Sequence, residues 1–136
     1  MLKYRKENNG AIKYTKDHRK AFRKIEKEIL GHNTWRSIVH DLDKVILYNI
    51  LPHKKVKNFH RSTARHHVEN KIKKNRNDYI EMINDWECAR YTKPDKPLNA
   101  YDTLYNHYSD LESVILPILE EYNLNHHTVK EEIWEK

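Results

Sequence analysis

The stretch Thr15-Lys16-Asp17-His18-Arg19-Lys20-Ala21-Phe22-Arg23-Lys24-Ile25-Glu26-Lys27-Glu28-Ile29-Leu30-Gly31 decides the fold class. Phe22, Ile25 and Ile29 recur at helical spacing, and His18 stands one turn before Phe22 on the same side. The imidazole is thus carried with the apolar stripe toward an interior. Gly31 closes the helix, because glycine takes the left-handed conformation of a C-terminal cap without steric cost.

Before this stretch, residues 1–14 read as a basic, loosely docked arm. After Gly31, a second helix runs from Thr34 through Trp35, Ile38 and Val39 into His40-Asp41. It breaks or bends there before Val45, Ile46, Leu47 and Ile50 lead to Pro52. A third helix is expected from about Lys57 to Lys73, with His60, Ala64 and His67 along one face. A fourth starts near Asn77 or Asp78 and stops before Pro94. It carries the stripe Tyr79, Met82, Ile83, Trp86, Ala89, with Asp85 turned toward the core. Residues 93–97 form a turn by composition. A short helix follows from Asn99 to Tyr108, then a last one from Ser109 to Tyr122, which Pro117 should kink or shorten unless it starts late. Residues 123–136 read as a polar tail. The expectation is all-α, with one helical domain over residues 15–122 and about five to seven helices.

Composition agrees. The chain has 136 residues, 38% hydrophobic, and a mean hydropathy of −1.04, so a lean core lies under a charged surface. Only 2 Gly and 4 Pro disfavour a sheet of many tight turns. The single Cys88 excludes an intrachain disulfide and points to a reducing cytoplasmic setting. No apolar run approaches the roughly 18 residues that span a bilayer, and no signal peptide is evident. Abundant Asn, Ile, Lys and Tyr suit an AT-rich genome, of a phage or a low-GC bacterium. The net charge of +6 is segregated: residues 1–80 carry 21 Lys and Arg against 8 Asp and Glu, and residues 81–136 carry 5 against 12. A basic half of this kind draws in anionic ligands.

The chemistry-bearing residues lie mostly in that basic half. His18, His40, Asp41 and Asp85 make a two-His, two-Asp set on three helices, suited to a divalent ion such as Mn, Fe, Co, Ni, Zn or Mg. The 22 residues from His18 to His40 allow one helix, a loop and an antiparallel return. His60, with His66 or His67, can bind a second metal or the substrate phosphate. On a continuous helix His60 and His67 stand two turns, about 10.5 Å, apart, too far to share one ion. His66 would point away from His60. Lys44, three residues past Asp41, reaches the same side and can stabilise charge on a phosphate. Arg61 and Arg65 can clamp phosphate. Glu69 or Glu81 can shuttle a proton or orient a ligand histidine.

The order His18, His40-Asp41, His60, His66 or His67, Asp85 resembles the HD-domain metal-dependent phosphohydrolases. More narrowly, His40-Asp41-Leu42-Asp43-Lys44, Arg65-His66-His67-Val68-Glu69 and Glu81-Met82-Ile83-Asn84-Asp85-Trp86 look like a group of small HD-like proteins. That group carries an HD-L-S-K motif, a double histidine and an Asp-Trp pair. The resemblance covers about residues 15–108. Asp43 stands where the group has Ser, and Val68 where it often has Pro. It implies a helical domain in which His18, His40, Asp41 and Asp85 hold a metal. It also implies hydrolysis of a nucleotide or another small phosphate ester, with Asp41 and Lys44 at the reacting centre. The competing expectation is a non-enzymatic basic helical protein that binds nucleic acid, a nucleotide or a protein. It predicts salt-dependent binding and no metal.

Overall fold

The computed structural model describes residues 3–67, 73–92 and 98–128. All regular structure in them is helical: α1 (Asn9–Leu30), α2 (Trp35–Val39), α3 (Leu42–Leu47), α4 (His53–Thr63), α5 (Arg76–Thr92), α6 (Ala100–His107) and α7 (Glu112–Glu121), with a 3-10 turn at Ser109–Leu111. No described helix is long and apolar enough to cross a membrane. The chain divides into two units, residues 1–74 and 75–136.

In the first unit α1 packs on α2 and α3, and α3 on α4. The helix α1 starts at Asn9, six residues before Thr15, so the basic arm is not loose as far as residue 14. Asn8 explains the difference. Its buried side-chain amide donates to the carbonyls of Tyr48 and Leu51, both at 2.8 Å. Ile12 joins Tyr48 and Val56 in a buried cluster. Tertiary burial thus extends a helix whose local sequence, with Gly10, favours it little. Gly31 caps the other end at φ 81°, its N–H bonded to the Lys27 carbonyl. Buried Glu26 accepts from the Thr34 N–H (2.7 Å) and hydroxyl (2.6 Å), which fixes the connection to α2. Thr34 caps α2 in turn. Not all the apolar residues here are core: Trp35, Ile38 and Val39 are exposed.

In the second unit α5, α6 and α7 pack on one another. Asn75 and Asp78 cap the start of α5 reciprocally, each accepting from the other's N–H at 2.9 Å. Five successive α5 residues, Ile80 to Asn84, are buried, and Trp86 stacks on Tyr108. Asn99 caps α6, and buried Glu87 accepts from the Ala100 N–H. Helix α7 starts late, at Glu112, and contains Pro117. Residues 123–128 are not a free tail. Asp102 accepts from the Thr128 N–H (2.8 Å), the Thr128 hydroxyl (2.6 Å) and the His127 ring (2.6 Å). The 93–97 turn, Val68, Glu69 and residues 129–136 lie outside the described residues.

Candidate metal centre

The centre of the first unit is the break between α2 and α3. His40 leaves helical geometry at ψ 122°, and Asp41 adopts the left-handed region at φ 55°, ψ 16°. Few residues other than glycine do so, and aspartate tolerates it better than most. Arg19 holds the break. Its Nε donates to the His40 carbonyl at 2.9 Å, and its guanidinium donates also to the Ile38 carbonyl, satisfying oxygens that the end of α2 leaves open. From behind, the Phe22 ring stacks on His40 with centroids 3.9 Å apart and planes at 12°. The α1 stripe thereby sets the orientation of the His40 ring.

The Asp41 carboxylate faces two pairs of imidazoles. On one side His18 Nε2 and His40 Nε2 are 3.2 Å apart, each 3.6 Å from Asp41 Oδ2. On the other, His60 Nε2 and His66 Nε2 are 3.3 Å apart, at 2.8 and 3.4 Å from Asp41 Oδ1. Four ring nitrogens and both oxygens of one carboxylate converge at separations of 2.8–3.6 Å. Ligand atoms set tetrahedrally at about 2.0–2.1 Å from one ion stand about 3.3 Å from each other. Each triad therefore has the span of a divalent-ion ligand set, and the donor types suit borderline transition metals. His18, His40, Asp41, His60 and His66 are all buried, so an ion held there would be shielded from solvent.

This geometry corrects the third-helix expectation. Helix α4 ends at Thr63 instead of reaching Lys73, and Ala64 leaves helical geometry at ψ 128°. The chain turns back there. His66 meets His60 rather than pointing away from it. His67 comes close too, its ring 4.9 Å from that of His60 and 4.5 Å from that of His66. His60, His66 and His67 bring one ligand atom each within 4.8 Å of one another. His67 is only half-buried.

The electrostatics follow from this crowding. Burial alone would raise the Asp41 carboxyl. Positive charge on His40, hydrogen bonds from His60 and His66, and Lys44 outweigh it and hold the group well below the usual carboxylate range. Lys44 Nζ stands 3.8 Å from Asp41 Oδ2, so it pairs with the site aspartate. Burial disfavours a charged His60, but hydrogen bonds to Asp41 and Asp43 more than offset that and raise its pKa. Nε2 of the ring faces Asp41 and Nδ1 faces Asp43.

Asp43 was not among the candidate site residues. Its two oxygens stand 2.8 and 2.9 Å from His60 Nδ1. The one signal in the sequence was the departure from Ser at this place. Arg19 was likewise missed, since nothing in its spacing distinguishes it from other surface arginines. Arg61 and Arg65 are exposed, and Arg65 donates to the Lys73 carbonyl. Asp85 and Glu81 belong to α5 in the second unit, half-buried and buried respectively. His53 stacks on Tyr48, and among the described residues His32, His53, His107, His126 and His127 join no group able to hold a metal.

The chain matches no protein-family model, no curated protein and no solved structure.

Proposed function

We propose that this chain is a metal-dependent phosphohydrolase of the HD type, acting on a nucleotide or another small phosphate ester. The observation that carries the reading is the Asp41 carboxylate, whose two oxygens each close a triad with a pair of imidazole nitrogens. His18, His40 and Asp41 would hold one divalent ion. Asp41, His60 and His66 would hold a second. Such ions lower the pKa of water to near neutrality and polarise a phosphoryl oxygen.

The remaining roles belong to side chains. The Lys44 ammonium, 3.8 Å from Asp41 and partly exposed, would offset charge that builds on a phosphoryl oxygen. His67, half-buried beside His60 and His66, would bind the substrate phosphate or hand a proton to the leaving oxygen. Arg61 and Arg65, exposed after the ligand histidine of α4, supply bidentate donors for a phosphate arriving from solvent. Burial of the five ligand residues excludes bulk water and strengthens each of these interactions.

The test is metal content together with turnover. The purified chain should carry or take up divalent metal, and it should hydrolyse members of a nucleotide panel with added Mn, Co, Ni or Mg. Metal binding without turnover on any phosphate ester would reduce the reading to a nucleotide-binding module.

A second reading, a basic helical protein that binds nucleic acid, is favoured by one observation. Lys13, Lys16, Lys20, Lys24 and Lys27 are exposed along a single stripe of α1. It predicts oligonucleotide binding that weakens steeply with salt and survives substitution of His40 and Asp41.

A further inference from the structure

We infer that Asp43 is a positioning residue that gives the His60–His66 half of the centre its metal affinity, a role resting on the metal reading above. His60 Nδ1 lies 2.8 and 2.9 Å from the two Asp43 oxygens, and its Nε2 lies 2.8 Å from Asp41 Oδ1. The two ring nitrogens point in different directions, so Asp43 faces away from the ion that Nε2 would meet and is not itself a ligand to it. A carboxylate on Nδ1 fixes three properties of the ring. It places the proton on Nδ1 and leaves the Nε2 lone pair for a metal. It holds the ring plane. It also makes Nε2 a stronger donor by placing negative charge across the imidazole.

The placement is built into the backbone. Asp43 sits in the first turn of α3, just after the left-handed Asp41, so the turn that aims Asp41 also aims Asp43 at α4. A shorter, uncharged side chain at this place would offer neither the second oxygen nor the charge.

Calorimetric titration of the metal-free full chain with Co(II), with the visible absorption of bound Co(II) as a second readout, tests the inference. The unsubstituted chain should bind two ions. Asp43→Ala should weaken one of the two steps by about 10- to 100-fold and leave the other unchanged. Asp43→Asn, which keeps an acceptor but not the charge, should weaken the same step less. His60→Ala should remove that step. Binding unchanged in Asp43→Ala would overturn the inference while leaving the metal reading intact. Equal weakening of both steps, together with a lower melting temperature without metal, would overturn it as well, by making Asp43 merely structural. Absence of Co(II) binding by the unsubstituted chain would overturn the metal reading itself.

Discussion

Arg19 on α1 donates its Nε to the main-chain carbonyl of His40 at 2.9 Å, so a side chain from the first helix fixes the backbone of a proposed ligand 21 residues later. Replacing Arg19 by Ala should lower stability by about 2 kcal/mol, in the range for a hydrogen bond to a charged group. It should also weaken metal binding, because the His40 ring loses its backbone anchor. Arg19→Lys should not restore it, since one ammonium cannot reproduce the fork that meets the His40 and Ile38 carbonyls. Chemical denaturation with and without metal checks both effects. An Arg19→Ala chain of unchanged stability and affinity would show that the anchor does nothing.

The backbone at Asp41 makes a separate prediction. At φ 55° a side chain lacking a local polar group is strained by about 1–2 kcal/mol, whereas glycine is not. Without metal, Asp41→Gly should therefore be more stable than Asp41→Ala by about 1 kcal/mol, although both lose the same carboxylate. Urea midpoints for the two variants decide it. Asp41→Ala equal to or above Asp41→Gly would mean that this residue is not held in the left-handed region.

His66 and His67 should separate. His66 Nε2 stands 3.4 Å from Asp41 Oδ1, so His66→Ala should reduce metal content. The half-buried His67 should matter for substrate, so His67→Ala should raise KM or lower kcat with metal retained. The reverse pattern in metal analysis and kinetics would exchange their roles.

Acid should loosen the end of the described chain. Burial would raise the Asp102 carboxyl, but hydrogen bonds from Thr128 and His127 more than offset it and lower its pKa. A lowered folded value contributes stability above the unfolded value of 3.8, and this is lost as pH falls through the depressed one. Asp102→Asn should accordingly melt below the unsubstituted chain near neutrality, and the gap should close in strong acid. A gap that persists there would assign the stabilisation to something other than the charge.

The features legible in the sequence were those with local chemical causes. Gly31 closes α1, Thr34 and Asn99 start helices, and the break at His40-Asp41 falls between two apolar runs. The all-helical class follows from the same signals. Where sequence reasoning failed, the cause was distant. Asn8 starts α1 because its amide reaches carbonyls of residues 48 and 51. No Gly or Pro lies between Thr63 and Lys73, so nothing local marked the end of α4, and a helix drawn onward put His66 on the wrong side. Asp43 could be read only once α3 and α4 were side by side. The convergence of His18, His40, His60 and His66 on Asp41, and their division between its two oxygens, required coordinates.

If Asp41 joins two metal-binding pairs, the metal stoichiometry of Asp41→Asn reports it, because asparagine keeps the side-chain shape and tolerates the same backbone. Elemental analysis after loading with Mn(II) or Co(II) and removal of excess should find two ions per unsubstituted chain and a loss from both halves in the variant. Two ions retained by Asp41→Asn, or none bound by the unsubstituted chain, would contradict a metal-bridging Asp41.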